Sequence, residues 1–135
     1  MKSKNAYELF SEGKRFTEEN EYLKAVMLFE KAAVIEPQKG SIREALATAY
    51  YNCGFYDYAR INFERALSID LSNDFAHYGM GLCLVKEGKL DMALGHLKIA
   101  LAMQPASTLY GDAVKKYSRI PGKSRKKQHQ EEEQK

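Results

Sequence analysis

The 135 residues predict an all-α fold, in which three helical hairpins stack into a solenoid and a capping helix covers the third hairpin. Three observations predict it. Small and bulky apolar residues recur every 34 positions, as in Ala25, Ala59 and Ala93; turn-forming or helix-stopping residues separate the apolar segments; and another amphipathic stretch follows the third repeat. Because one hairpin cannot bury its apolar face alone, about three stacked units are needed for a stable core.

The repeat appears as six columns, a column being a set of residues spaced 34 positions apart. Small residues recur where two helices must approach closely, and bulky residues recur at helical spacing, where they would fill the space between helices. Beside the alanine column given above, the columns are Ala32, Ala66 and Ala100; Phe29, Phe63 and Leu97; Gly13, Ala47 and Gly81; Phe16, Tyr50 and Leu84; and Tyr22, Tyr56 and Leu90.

Turn and capping residues divide each unit into two helices. Turns are expected at 19–21, 52–54 and 87–89, where Asn or Gly can adopt the left-handed conformation that ends a helix. Pro37 and Pro105 stop the second helix of units one and three, and residues 72–74 offer N-cap oxygens to the next helix instead. The expected helices are 5–18, 22–35, 41–52, 56–69, 74–87 and 90–103.

A seventh, capping helix is predicted at about 108–120. Its apolar stripe should face the third unit while charged residues face solvent, and Pro121 with Gly122 ends it. The stripe consists of Leu109, Ala113, Val114, Tyr117 and Ile120. Residues 121–135 have no large apolar side chain to bury, so we expect a domain at 1–120 followed by a disordered charged tail.

The order of residues within each unit is more specific than the period alone. Unit one carries Leu9, Gly13, Phe16, Ala25, Phe29 and Pro37; unit two Ala47, Tyr50, Ala59, Phe63 and Leu71; and unit three Gly81, Leu84, Ala93, Leu97 and Pro105. This order resembles that of the tetratricopeptide-repeat (TPR) family, whose units run W-x2-L-G-x2-Y, then A-x3-F, then P. The resemblance covers residues 6 to about 107 and implies a right-handed α-solenoid with units 6–39, 40–73 and 74–107.

The sequence departs from the family pattern at a few positions. Arg43 and His77 lie in the column where the family has tryptophan, and Glu12 replaces an apolar residue. We expect Arg43 and Glu12 to weaken the edges of the stack.

The resemblance also implies where a ligand would bind, because TPR stacks recognise partners with the inner face of the first helix of each unit. Once Leu9, Gly13 and Phe16 are assigned to packing, the adjacent stripe should line this concave groove. The stripe is mostly aromatic and apolar, as exposed interaction surfaces tend to be. The predicted lining is Tyr7, Phe10 and Lys14 in unit one, Glu44, Thr48, Tyr51 and Asn52 in unit two, and Phe75, Tyr78 and Leu82 in unit three.

Two alternatives concern this groove. Tyr7 and Phe10 could instead cover the open N-terminal edge of the stack, with the capping helix filling part of the groove. A second concerns the ligand, since one branch of the family holds the terminal carboxylate of chaperone tails with Lys, Asn and Arg. The matching positions here are Phe10, Lys14, Ala45, Phe75 and Gly79, so a buried carboxylate would be poorly compensated and a chaperone C-terminal tail is not expected.

Composition excludes several classes of protein. The formal charge is only +3, and residues 121–135 supply +2 of it from five basic and three acidic residues, so the body lacks the basic face of a nucleic-acid binder. No segment has the roughly 20 apolar residues that a membrane-spanning helix needs, and the N-terminus lacks a signal-peptide core. Cys53 and Cys83 fall inside helical patterns as free thiols. We therefore expect a cytoplasmic protein.

Motifs for catalysis, cofactors or metals are not found in the sequence. Gly79 and Gly81 lie inside a predicted helix and lack the third glycine of a phosphate loop, so helix packing explains them better. His77 is expected to pack or face solvent, and Cys83 to lie in the core. No enzyme activity, cofactor or metal site is predicted.

The remaining function is recognition of another protein. The sequence predicts an adaptor or scaffold whose concave groove holds a mostly apolar peptide or helix of a partner. The alternative is a homo-oligomer, in which the inner face or the edges of this minimal stack pair with a second copy.

Overall fold

The computed structural model of the protein describes residues 3–120 and is all-helical over that range. Each predicted helix is present, and the six hairpin helices end within one residue of the predicted positions. The tail predicted at 121–135 lies outside the described residues. The seven helices of the described part are α1 (Ala6–Glu18), α2 (Tyr22–Ile35), α3 (Gly40–Asn52), α4 (Tyr56–Ile69), α5 (Asp74–Lys86), α6 (Leu90–Met103) and α7 (Thr108–Ser118).

The turns within the hairpins form where the sequence places Asn or Gly. Asn20, Gly54 and Gly88 have φ angles of 60°, 82° and 78°, in the left-handed region that these residues tolerate best. The Asn73 side chain accepts a hydrogen bond from the Ala76 amide at 2.9 Å and so caps α5, as predicted.

The helices form a solenoid in which each packs against the next along the chain. The first helices of the hairpins, α1, α3 and α5, also contact one another and lie side by side, with α3 in the middle. They form the inner wall of the stack.

Bulky side chains from the second helices fill the space left by glycines on the first helices. A Cβ atom on Gly13 would lie 2.5 Å from the Phe29 ring, and one on Gly81 would lie 2.7 Å from Leu97. Ala25, the first residue of its column, is fully buried. The glycines predicted to serve helix packing are therefore packing positions.

Arg43, expected to weaken an edge of the stack, is buried and makes two side-chain hydrogen bonds. Its Nε donates to the Pro37 carbonyl oxygen at 3.1 Å and its Nη1 donates to Asn62 Oδ1 at 3.2 Å. It thus ties the loop before α3 to α4. Arg43 makes these contacts because a guanidinium can donate to several fixed acceptors even where an apolar residue is usual. Its effect on the stability of the stack stays a prediction.

His77, one repeat further on, makes the same connection. Its Nε2 lies 3.0 Å from the Leu71 carbonyl oxygen and its Nδ1 lies 3.1 Å from His96 Nδ1. Leu71 and His96 are 34 residues beyond Pro37 and Asn62. The two hairpins are therefore joined to their preceding loops by equivalent polar contacts, and His77 is a packing residue.

The capping helix α7 is present, with Ala113 of its predicted stripe buried and Val114, Tyr117 and Ile120 half-buried; the stripe differs from the prediction at Leu109 and Tyr110. Tyr110 and Ala113 are buried, whereas Leu109, which was predicted to face the third unit, is 50% exposed. One further shift of 34 residues explains this, since Tyr110 continues the buried column of Ile42 and Ala76.

Candidate functional site

The inner wall contains two adjoining pockets that we name by their lining. The charged pocket, of about 300 Å³, is lined by Phe10, Lys14, Thr17, Phe29, Ser41, Glu44, Ala45, Thr48 and Phe75. The aromatic pocket, of about 160 Å³, is lined by Thr48, Tyr51, Asn52, Phe63, Phe75, Tyr78, Gly79 and Leu82. Thr48 and Phe75 line both, so the pockets are continuous along one groove.

Nine of the ten predicted groove residues line these pockets. Phe10, Lys14 and Glu44 lie in the charged pocket, Tyr51, Asn52, Tyr78 and Leu82 lie in the aromatic pocket, and Thr48 and Phe75 lie in both. Tyr7 lines neither and is 74% exposed. Phe10 faces the groove rather than only the open edge, since its ring packs 5.6 Å from that of Phe29.

Several lining residues were missed in the sequence. Phe29 and Phe63 come from the second helices, whose residues were assigned to packing alone, and they close the pockets from below. Gly79 leaves the floor of the aromatic pocket open to the Phe63 ring, which lies 2.3 Å from where a Cβ atom would stand. The signal was the absence of a side chain at position 79, in a column whose other members are Ser11, Ala45 and Ala113.

Aromatic rings build the second pocket. The centre of the Phe75 ring lies 6.2 Å from that of the Phe63 ring and 6.0 Å from that of the Tyr78 ring. Tyr51 packs edge-on against Tyr56, with ring centres 5.1 Å apart. Such tilted and edge-on contacts fix the rings in place before a ligand arrives. The pocket is therefore a preformed apolar recess.

The capping helix closes one end of the groove. The Tyr110 ring packs 5.2 Å from that of Tyr78, and its hydroxyl donates to Asp74 Oδ2 at 2.6 Å. Burial, followed by this hydrogen bond to Asp74, raises the pKa of Tyr110. Helix α7 thus fills part of the groove at the third hairpin, where Tyr110 packs against the Tyr78 ring.

The tyrosines that face the pocket remain neutral. Burial raises the pKa of Tyr51 to about 12, and burial also raises the pKa of Tyr78. Both side chains therefore present a neutral hydroxyl and a ring face near neutral pH. They can accept and donate hydrogen bonds without adding charge.

The charged pocket carries one cation and one carboxylate on its walls. Lys14 Nζ lies 5.8 Å from the centre of the Phe10 ring. Burial is the main cause that raises the pKa of the half-buried Glu44, and the nearby Asp74 adds to it, while Asn73 and Lys14 act in the opposite direction.

The described part has a buried thiol and several residues of the types that bind metals outside the groove. Burial raises the pKa of the Cys83 thiol to about 12, so it is not a thiolate nucleophile. Within residues 3–120 no three His, Cys, Asp or Glu side chains converge as metal ligands would. Over the same range, none of the helices has the length and apolar character that crossing a bilayer requires.

In sequence comparison, no protein-family model and no curated protein matches this chain.

Solved structures nevertheless share its fold. The first TPR domain of human RPAP3 superposes with a TM-score of 0.84 at 18% identity, covering 90% of this chain and 95% of that one. The first TPR of Spaghetti (RPAP3), bound to the HSP90 peptide SRMEEVD, gives 0.81 at 19% identity and covers 88% and 94%.

A bacterial example is similar too. The Yersinia enterocolitica type III secretion chaperone SycD, in complex with a peptide of the translocator YopD, gives a TM-score of 0.74 at 17% identity, covering 90% of this chain and 93% of that one. The chain therefore has the fold of a TPR domain, with three helical hairpins and a capping helix.

Proposed function

We propose that the protein is an adaptor whose inner groove holds a mostly apolar peptide or helix of a partner protein in the cytoplasm. The observation that carries this proposal is the aromatic pocket. Tyr51, Phe75 and Tyr78 are only partly buried around a recess of about 160 Å³. A contiguous, preformed apolar recess on a surface is typical of an interaction site.

The structural neighbours support a peptide as the occupant. The Spaghetti domain is bound to the HSP90 peptide SRMEEVD, and SycD is bound to a translocator peptide. A tail as acidic as SRMEEVD fits this groove poorly, because among residues 3–120 Lys14 is its only lining cation while Glu44 faces the same pocket. An apolar segment fits better.

Self-association is the second candidate. Tyr7 and Leu109 occupy the same column, and at 74% and 50% exposed they leave apolar surface at both ends of the inner wall. A second copy could cover such surface.

The test is a pull-down with the intact protein, its Leu82→Arg variant and a matched control, Met92→Arg. Leu82 lines the aromatic pocket, whereas Met92 is 57% exposed on α6. We expect wild type and the control to capture the same partner and Leu82→Arg to lose it, since an arginine would fill and charge the pocket. Equal capture by all three would place the binding surface elsewhere. Light scattering across concentration identifies self-association, which replacing Tyr7 or Leu109 by arginine would then abolish.

A further inference from the structure

Within the three hairpins, Glu44 is the exception in its column. The residues 34 positions before and after it are Phe10 and Tyr78, both aromatic, and all three face the groove. A carboxylate between aromatic residues on a half-buried wall loses hydration without gaining packing. This position therefore has a chemistry that the stacking of hairpins does not require.

The groups around Glu44 leave its charge incompletely balanced. The Asn73 side chain acts to lower the pKa of Glu44, but Asp74 at the start of α5 adds a second negative charge nearby. Lys14 on α1 forms no ion pair within 4 Å with it among the described residues; its ammonium lies over the Phe10 ring instead. The Glu44 carboxylate in the charged pocket thus has no ion-pair partner among the described residues, and the Asp74 carboxylate adds negative charge nearby.

The position of Glu44 relative to the aromatic pocket adds a spatial constraint. Glu44 lines the charged pocket, and Thr48, one helical turn further along α3, lines both pockets. Phe75 is the other shared wall. A segment that fills the aromatic pocket therefore passes Glu44 within a few residues.

We propose that the groove selects a segment in which a large apolar side chain is followed or preceded, within a few residues, by lysine or arginine. The apolar side chain enters the aromatic pocket, and the ammonium or guanidinium donates to the Glu44 carboxylate. A charge-assisted hydrogen bond of this kind is strong in a partly desolvated pocket. It also balances the charge of the Glu44 carboxylate, which in the free protein lies beside an apolar wall. This inference rests on the proposed function, because it requires the groove to bind a peptide.

The experiment uses an N-acetylated random peptide library, so that any cation comes from a side chain. The immobilised full-length protein, Glu44→Gln and the exposed control Glu18→Gln are each used for selection. We expect wild type and Glu18→Gln to enrich peptides with a large apolar residue near Lys or Arg. Glu44→Gln should keep the apolar preference and lose the basic one.

A double-mutant cycle on one enriched peptide then isolates the contact. Replacing its basic residue by glutamine should weaken binding to wild type about tenfold, the usual magnitude for a hydrogen bond to a charged group, and leave binding to Glu44→Gln unchanged. Enrichment of apolar peptides without a basic residue would overturn the inference while the proposed function stands. If no peptide is enriched by wild type, or if Leu82→Arg enriches the same peptides, the proposed function falls with it.

Acid titration gives an independent check. Lys14, Asn73, Asp74 and the phenol of Tyr110 surround Glu44, and its pKa is raised. Affinity for the basic peptide should therefore fall on acidification, beginning at a higher pH than for a surface glutamate, and it should fall less for Glu44→Gln. Parallel profiles for the two proteins would contradict the assignment of Glu44 as the acceptor.

Discussion

The contact between His77 and His96 fixes which ring nitrogens carry hydrogen. The Leu71 carbonyl can only accept, so His77 must donate from Nε2, and in its neutral form its Nδ1 is then a lone pair. Across the 3.1 Å contact His96 must therefore donate from Nδ1. The pair is satisfied when both rings are neutral.

This arrangement predicts a loss of stability in acid. Burial, followed by repulsion from His77, lowers the pKa of His96 below its ordinary value of 6.5. The unfolded chain then binds a proton more readily than the folded one, so the contribution is complete above the ordinary value and declines as the pH falls towards the lowered pKa. Urea unfolding at several pH values should show a steeper decline for wild type than for His96→Gln, which retains a donor. Equal slopes would mean that His96 does not titrate differently on folding.

At the scale of helices, the polar contacts of Arg43 and His77 attach the second and third hairpins to the loops that precede them. Unit one has Leu9 and Leu28 in these two columns, so the same geometry accepts an apolar pair, a guanidinium with an amide, or two imidazoles. The two side chains at these positions must therefore fit each other, but neither has to be one particular residue type.

We expect Arg43→Ala to lower the free energy of unfolding by about 2 to 4 kcal/mol. It removes two hydrogen bonds from a charged donor and leaves a void beside Asn62 and the Pro37 carbonyl oxygen. The double variant Arg43→His with Asn62→His, which copies the pair of the third unit, should recover part of this loss. Denaturant unfolding measures both. A double variant no more stable than Arg43→Ala would show that the two sites are not interchangeable.

The helices were predictable because a 34-residue period constrains every unit at once, so that Asn20, Gly54 and Gly88 each confirm the same boundary. The polar contacts of Arg43 were not predictable, because they depend on where its acceptors lie in three dimensions. The cap was placed correctly except for Leu109, which was chosen by amphipathicity, whereas extending the repeat would have selected Tyr110.

The groove was foreseen as a stripe but not as two pockets. A stripe on α1, α3 and α5 follows from helical spacing, whereas pocket depth depends on rings that come from α2 and α4. The line between the charged and aromatic pockets is set by Phe75, whose ring position no spacing rule gives. Whether these residues bind a partner stays a prediction.

At the scale of the whole molecule, the two ends of the stack differ in how far other helices cover them. Helix α7 covers the third hairpin and presses Tyr110 against Tyr78, while the first hairpin has no helix before it among residues 3–120 and leaves Tyr7 exposed. The groove is therefore firm at its closed end, where the aromatic pocket lies. Binding energy should concentrate there, because rigid, desolvated aromatic side chains dominate interfaces.

The final prediction follows from that asymmetry. Truncating Tyr51 or Tyr78 to alanine should weaken partner binding by about 2 kcal/mol or more, some thirtyfold, because each forms a wall of the aromatic pocket. Lys14→Ala should change affinity by less than about 1 kcal/mol, since its side chain is exposed at the rim. A titration of the captured partner against the three variants, with folding checked by circular dichroism, measures this. If Lys14→Ala abolishes binding while both tyrosine variants bind normally, the groove recognises charge rather than apolar surface.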